Sequence, residues 1–502
     1  MRVNGDLKWY IRFVPGFMVE NARKAGLDPN TAFPGFVVAW IAFFIILSLP
    51  VPPGLKPAGL AAAAVAVWAV IMWITEAMPV GVTGLLIPLL LVLTGAQKKI
   101  PQAFGGFSQD VSFLVLGSFI FAAIMQSTGL DRRIALAVLS RVKPRVDQVI
   151  KGLMAVNIAL SVIIPAAVSR SAVLLPIVKG IMELFEETPE GRKARGALAI
   201  TGLCYFPMVG GILLLTAHMP NVIMAGLFEK ELGYQLNYAR WFWLHWPIIG
   251  LLPVMFLIIR KQLNVGGISV PGGTDFIQCE KKNMGKMSFI EWLVLAIFAV
   301  AVLLWITEPQ HKIKTGLATL IALGIFFIPG LLPTPWKTLQ NKTIWGRWLL
   351  LAGALSLASA ISATGLSEWI AGYAGMYFKG QHFLVIVVGF IVLTAFVRIF
   401  MLSNVAAVSM LAPILISLSR VLNLNPVAFT LLVGNFDTFS FLVPTQVTAC
   451  VIAYGTGTFD TKTYAKVGIP IMAATLLYFV LVMMPWYAVN GLPVWGGYVT
   501  WR

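Results

Sequence analysis

Charge is what this 502-residue chain has least of: Asp, Glu, Lys and Arg make up 11%, against 59% for the apolar set AVILMFWYC. An ordinary soluble domain is about one quarter charged, so a fold facing water on all sides would leave far too much apolar surface uncovered. That excludes the soluble classes. Acid is scarcer still, with 20 Asp+Glu against 37 Lys+Arg and a formal net charge of +17. On a soluble protein such an excess would suggest a nucleic-acid partner; on a membrane protein it is the mark of cytoplasmic loops, and no nucleic acid is implied. Cysteine is nearly absent. Cys204, Cys279 and Cys450 lie far apart and none has a partner at metal or redox spacing. No His/Cys/Asp metal cluster, no nucleophile beside a base and no phosphate-binding glycine loop can be read in the chain, which argues against an enzyme and calls for no cofactor. A signal-peptide pattern is missing too, since residues 1–32 carry Asp6, Lys8, Arg12, Glu20, Arg23 and Lys24 and no compact apolar stretch. The segment 1–32 is therefore expected to stay in the cytoplasm.

What the chain does have is long apolar runs. A spanning helix needs about 20 mostly apolar residues, and that ruler picks out eleven segments: 33–51, 57–75, 79–96, 111–128, 196–229, 241–259, 289–307, 315–332, 347–365, 426–458 and 467–490. Two further stretches, 149–185 and 383–419, are too long for one span and are interrupted by Ser169-Arg170-Ser171 and by Ser403-Asn404. Halves of about 15 residues are too short to cross alone, so each stretch is expected to be a re-entrant helical hairpin with its tip at membrane depth. Irregular backbone survives there only inside protein or beside a wet cavity. Charge supports this layout. With the N-terminus inside, cytoplasmic segments collect 25 of the 37 Lys+Arg and external segments 10, leaving Arg170 and Arg398 in apolar surroundings. This is the positive-inside pattern of a multi-pass protein of the inner (plasma) membrane.

The chain also repeats itself. Trp-Ile-Thr-Glu occurs at 73–76 and 305–308, Thr-Gly-Leu at 128–130 and 364–366, and Leu-Leu-Pro-Ile at 174–177 is answered by Leu-Ala-Pro-Ile at 411–414. The two hairpins open to opposite faces, so the repeat is inverted, an architecture typical of secondary transporters whose site lies where the halves meet. The fold expected is an all-α polytopic membrane protein of eleven spans and two hairpins. It divides into first-half scaffold helices (33–128), first-half transport elements (129–260), a cytoplasmic linker (261–288), second-half scaffold helices (289–382) and second-half transport elements (383–502). Segments 196–229 and 426–458 are read as helices broken at mid-membrane.

Ionisable residues inside a membrane are costly and usually functional. Here they are Arg170, Arg398, Asp437 and His218. A helix N-terminus at each tip favours an anion, and a guanidinium suits carboxylate or sulfate. Arg170, flanked by Ser169 and Ser171, is the first candidate for the anion contact, the alternative being that it caps the carbonyls of its own hairpin. Arg398 either faces the ligand or pairs with Asp437, which could otherwise serve as a proton or cation relay. His218, Asn221, Ser403, Asn404 and Thr448 complete the candidate substrate set.

Trp73-Ile-Thr-Glu76-Ala-Met-Pro79, Thr128-Gly-Leu-Asp131-Arg-Arg-Ile134-Ala135, Pro220-Asn221, Ser403-Asn404 and Tyr454-Gly-Thr-Gly457 together resemble the divalent anion:sodium symporter family of di- and tricarboxylate and sulfate carriers, over about residues 33–490. The resemblance implies a homodimer, a mobile transport domain moving as an elevator against a scaffold, and two Ser-Asn-Thr tips that hold substrate carboxylates and Na⁺. This chain departs from that pattern. Its first tip aligns as Ala166-Ala167-Val168, without a side-chain oxygen, and its second as Ser403-Asn404-Val405. Na⁺ needs hard oxygen ligands, so no metal site is firmly expected. The expectation is exchange of small divalent anions, dicarboxylate-like, with fixed arginine charge in place of sodium. Na⁺- or H⁺-coupled symport of dicarboxylates, sulfate or sulfonates is the alternative.

Overall fold

The computed structural model describes residues 8–501 except 165, 274, 402 and 447, and leaves out the side chains of Phe400, Thr445 and Thr448. The described chain is helical throughout, its one β contact being an isolated bridge between Arg145 and Ser269. In the first half, α1 (Pro29–Ser48), α2 (Pro57–Thr75), α3 (Val80–Leu93) and α4 (Asp110–Thr128) are followed by the short α5 (Leu130–Leu139). Then come the hairpin α6 (Val146–Ile163) and α7 (Ala167–Glu183), and the pieces α8 (Pro189–Ala199) and α9 (Met219–Leu227). The second half repeats this order: α10 (Phe289–Ile306), α11 (Thr315–Phe326), α12 (Trp345–Ala363) and α13 (Leu366–Phe378). It continues with the hairpin α14 (Phe383–Phe400) and α15 (Asn404–Leu422), then α16 (Pro426–Phe436), α17 (Thr448–Tyr454) and α18 (Thr461–Tyr478).

Local chemistry sets many of these ends. Asp28, Thr188, Asn425 and Asp460 cap their helices through side-chain oxygens, and Ser288 with Glu291 forms a capping box at the start of α10. Helix α2 begins at Pro57, and its alanine-rich run lets neighbouring backbones approach closely. The repeated Thr-Gly-Leu string turns out to be a joint. Gly129 and Gly365 adopt φ of 77° and 80°, a left-handed conformation that only glycine takes without strain, and each turns a long helix into a short one, α4 into α5 and α12 into α13.

The repeat is also visible in the contacts. Gly81 of α3 packs on Gly346 of α12, and Gly316 of α11 packs on Asp110 of α4; Gly84 meets Gly353, and Gly117 meets Thr319. Each pair is the repeat equivalent of the other. On the axis relating them, Trp348 Nε1 donates to the carbonyl and hydroxyl oxygens of Ser112, its own equivalent 236 residues away, at 3.1 and 3.0 Å.

Several expected lengths change. Nine helices among the described residues are long and apolar enough to cross a membrane. They include α6 and α15, so the hairpin halves are longer than the 15 residues expected and length alone does not distinguish them from spans. At the first break Arg170 and Ser171 are fully buried, so this interruption of the apolar stretch lies inside the protein. The segment 315–332 forms helix only to Phe326. Segment 196–229 is three helical pieces, the first running through a π-turn at Ile200–Tyr205. Helix α1 exposes Phe36, Ile41, Phe44 and Ile45, an apolar face suited to lipid.

Candidate functional site

At the first tip Ile164, which ends α6, and Ala166, which precedes α7, are both extended. Because Ala166 has no side-chain oxygen, the N-terminus of α7 carries no side-chain cap, and its first N–H groups stay free for another acceptor. Arg170, fully buried, turns back under the tip. Nη1 donates to the carbonyls of Ile164 (2.5 Å) and Ala217 (3.1 Å), and Nη2 donates to that of Pro207 (2.6 Å). Its guanidinium thus ties the tip to both sides of the break at 210–218, and among the described residues no carboxylate pairs with it. Ser171 donates to Ala167 (3.0 Å) and Leu203 (2.7 Å), fixing α7 to the π-turn. Asn221 Nδ2 holds the broken segment through Gly211 (2.8 Å) and Leu214 (2.9 Å). Gly211 sits in a tight place, since a Cβ would lie 3.0 Å from the Met208 carbonyl oxygen, 3.1 Å from the His218 Cβ and 3.3 Å from Arg170 Nη2.

The second tip carries the same load differently. Ser403 caps α15 by accepting from the Ala406 N–H at 3.3 Å. Arg398 donates to the Met401 and Gln446 carbonyls and to Asn404 Oδ1 at 3.1 Å. Its Nε also lies 2.9 Å from Asp437 Oδ1, both side chains being wholly buried; this is an ionic contact without hydrogen-bond alignment. Asn404 Nδ2 donates to Asp437 Oδ2 at 2.9 Å. Of the two roles open to Arg398, its geometry favours the ion pair. Ile164 and Met401, the carbonyls that the two arginines hold at the tips, stand at the same repeat spacing as Pro176 and Pro413.

Both tips meet at one cavity of about 70 Å³. Ala166, Ala167 and Val168 line it from the first tip, Ser403, Asn404 and Val405 from the second, and Met208, His218 and Met219 from the broken helix. Three helix N-termini, those of α7, α9 and α15, border it. His218 Nδ1 is buried there without a partner, so the wall holds a polar atom that a ligand could satisfy. Among the residues expected at the site, His218, Ser403 and Asn404 line the cavity. Ser169, Arg170, Ser171 and Asn221 are not in its wall; Arg170 and Asn221 are engaged by backbone carbonyls behind it, Arg170 against Gly211 and close to His218. Arg398 and Asp437 lie behind Asn404. Thr448 starts α17, and its side chain lies outside the described residues.

One wall residue escaped the reading of the sequence. Arg347, in the first turn of α12, lines the cavity together with Ile344. It stands where a loop becomes a span and so was counted with the cytoplasmic charges. The available signal was that it is the one charged residue in all of α12.

Residues 30–492 match the model of the sodium:sulfate symporter transmembrane region. The chain belongs to this family. A relative from Cupriavidus necator described as a membrane protein is 29% identical, over 90% of this chain and 92% of its own length. The sodium-dependent dicarboxylate transporter SdcS of Staphylococcus saprophyticus is 28% identical over 89% and 90%. Among solved structures, Neisseria gonorrhoeae MtrF, placed in a class of antimetabolite efflux pumps, superposes with a TM-score of 0.58 at 16% identity, covering 92% of this chain and 97% of its own. The Alcanivorax borkumensis YdaH transporter gives 0.55 at 15% identity over 81% and 89%. These two show the fold alone. The family's chains are multi-pass membrane transporters of small anions, not enzymes, and this chain is one of them.

Proposed function

We propose that the chain is a secondary carrier that exchanges small divalent anions of the dicarboxylate class through the cavity between the two tips. The observation that carries this reading is the position of Arg170. Three backbone carbonyls gather under the first tip, and the Arg170 guanidinium takes all three through two of its nitrogens. The first tip's share of the wall in front is Ala166, Ala167 and Val168. The first tip therefore supplies no side-chain oxygen to Na⁺. The anion would rest on the free N–H groups of α7, α9 and α15 and on His218, Ser403 and Asn404, with the charge of Arg170 one layer behind. At the low effective dielectric of a buried site that charge still acts on an anion.

Exchange follows from the same charge. Arg398 is neutralised by Asp437, whereas Arg170 has only dipoles around it. An empty carrier would move an uncompensated buried charge, at a cost of several kcal/mol, and a loaded one would move a compensated site. The elevator-type movement, the homodimer, the cytoplasmic N-terminus and the inner-membrane location belong to this reading. Sodium-coupled symport is the second reading, favoured by the SdcS relative being sodium-dependent. Proteoliposomes separate the two. Uptake of labelled succinate or sulfate that needs an internal anion and ignores a Na⁺ gradient is expected; uptake into empty vesicles driven by Na⁺ would overturn exchange.

A further inference from the structure

The cavity has walls of two kinds. Hairpin tips and the broken helix supply most of it, but Ile344 and Arg347 come from α12 and the turn before it. Helix α12 is locked to α3. A Cβ on Gly81 would lie 2.7 Å from the Gly346 Cα, and one on Gly84 would lie 2.8 Å from the Leu350 Cα, so the backbone on both sides of Arg347 leans on a neighbouring helix with no room to shift. The Arg347 guanidinium, half-buried at the cavity, makes no hydrogen bond or ion pair among the described residues. Among the described residues the acid whose field reaches it is Glu76, held in a left-handed turn at the end of α2. Among the described residues Arg347 is the only charged one in the cavity wall, and its anchorage differs from that of the other polar groups there.

The repeat makes this asymmetric. Trp348 and Ser112 are equivalents, so the equivalent of Arg347 is Val111 and that of Ile344 is Ser108. Neither carries charge. Both line a different cavity, beside Gly226 and Glu229. In a carrier built from related halves, alternating access exchanges the surroundings of the two halves about the site. The tips would then leave Ile344 and Arg347 for Ser108 and Val111.

We propose that Arg347 is a stationary anion clamp, which contacts the divalent anion in one access state only and so gives the carrier a higher affinity at one membrane face than at the other. This rests on the carrier reading above but not on its exchange mechanism. A charge-assisted contact to an anion corresponds to roughly ten- to hundredfold in affinity.

The test uses the full-length protein in proteoliposomes of known orientation, with KM for succinate and for sulfate read separately at each face, in whichever mode the wild type runs. Arg347→Gln is expected to raise KM at least tenfold at one face and to leave the other within about twofold; Arg347→Lys should recover part of the loss. Val111→Arg, which adds a second clamp at the equivalent position, is expected to lower KM at the opposite face and reduce the asymmetry. An equal rise at both faces, or no rise at either, would overturn the clamp. So would a folded Val111→Arg protein with unchanged KM at both faces, which keeps the idea testable if the Arg347 variants fail to fold. Wild-type uptake driven by Na⁺ would sink exchange while leaving the face-to-face comparison readable, and a wild type that carries no divalent anion would sink both readings.

Discussion

The two hairpin tips occupy equivalent places in the repeat and both hold a buried arginine, yet the arginines come from opposite sides of the tip and only one of them has a counter-charge. Arg398 precedes its tip and meets a carboxylate; Arg170 follows its tip and meets only carbonyls. The second tip is a closed electrostatic unit. The first is an open one, with net charge that a mobile anion can balance. The difference teaches that both halves hold their tip carbonyls with an arginine, while the arginine's place in the chain and its counter-charge are free to vary.

Breaking the closed unit should have the largest effect. Asp437→Asn leaves Arg398 buried without its counter-charge and is expected to cost about 3–5 kcal/mol of stability, read as a lowered Tm in detergent, with the double variant Arg398→Met/Asp437→Leu recovering part of it. A neutral Asp437→Asn would remove the distinction between the tips. Opening the first tip comes next. Arg170→Met leaves three carbonyls without donors, at about 2–3 kcal/mol, and NaCl but not choline chloride is expected to restore some Tm, because the oxygens become available to a small cation. If Na⁺ stabilises the wild type as much as the variant, the arginine is not what displaces it.

Ligand-facing changes should be smaller. His218→Ala is expected to weaken anion binding by roughly tenfold, about 1.4 kcal/mol, with Tm of the empty protein nearly unchanged; thermal shifts with succinate or sulfate would show it. The caps give the smallest contrast. Ser403→Ala should lose about 1 kcal/mol and Ala166→Ser should gain a few tenths to about 1 kcal/mol. The serine would also occupy N–H groups needed by the anion, so stability and transport should move in opposite directions.

The parts of the molecule written in local pattern could be read before the structure. Span 57–75 agrees residue for residue with α2 because a proline opens it and an unbroken apolar run defines it. The broken segments, the tips and the Arg398–Asp437 pairing were also within reach, since each depends on polar groups that must be satisfied inside apolar stretches. Side-chain direction was not. Ser-Arg-Ser left Arg170 open either to a ligand or to the carbonyls of its own hairpin, and local pattern could not decide, because beside Ile164 of the hairpin it meets Pro207 and Ala217, about 40 residues away in the chain. Arg347 was hidden for a different reason: apolar windows blur at their edges, and a charge at an edge looks like a loop charge.

The bond between Trp348 and Ser112 constrains the history of the chain. In a dimer of two identical half-length proteins, a residue on the twofold axis meets its own copy, so that position must suit itself: two indoles would compete for one space, and two serines would leave it empty. Joining the halves in one chain lifts that restriction. A large donor can then face a small acceptor across the axis, a pairing open to a fused protein and closed to its symmetric ancestor.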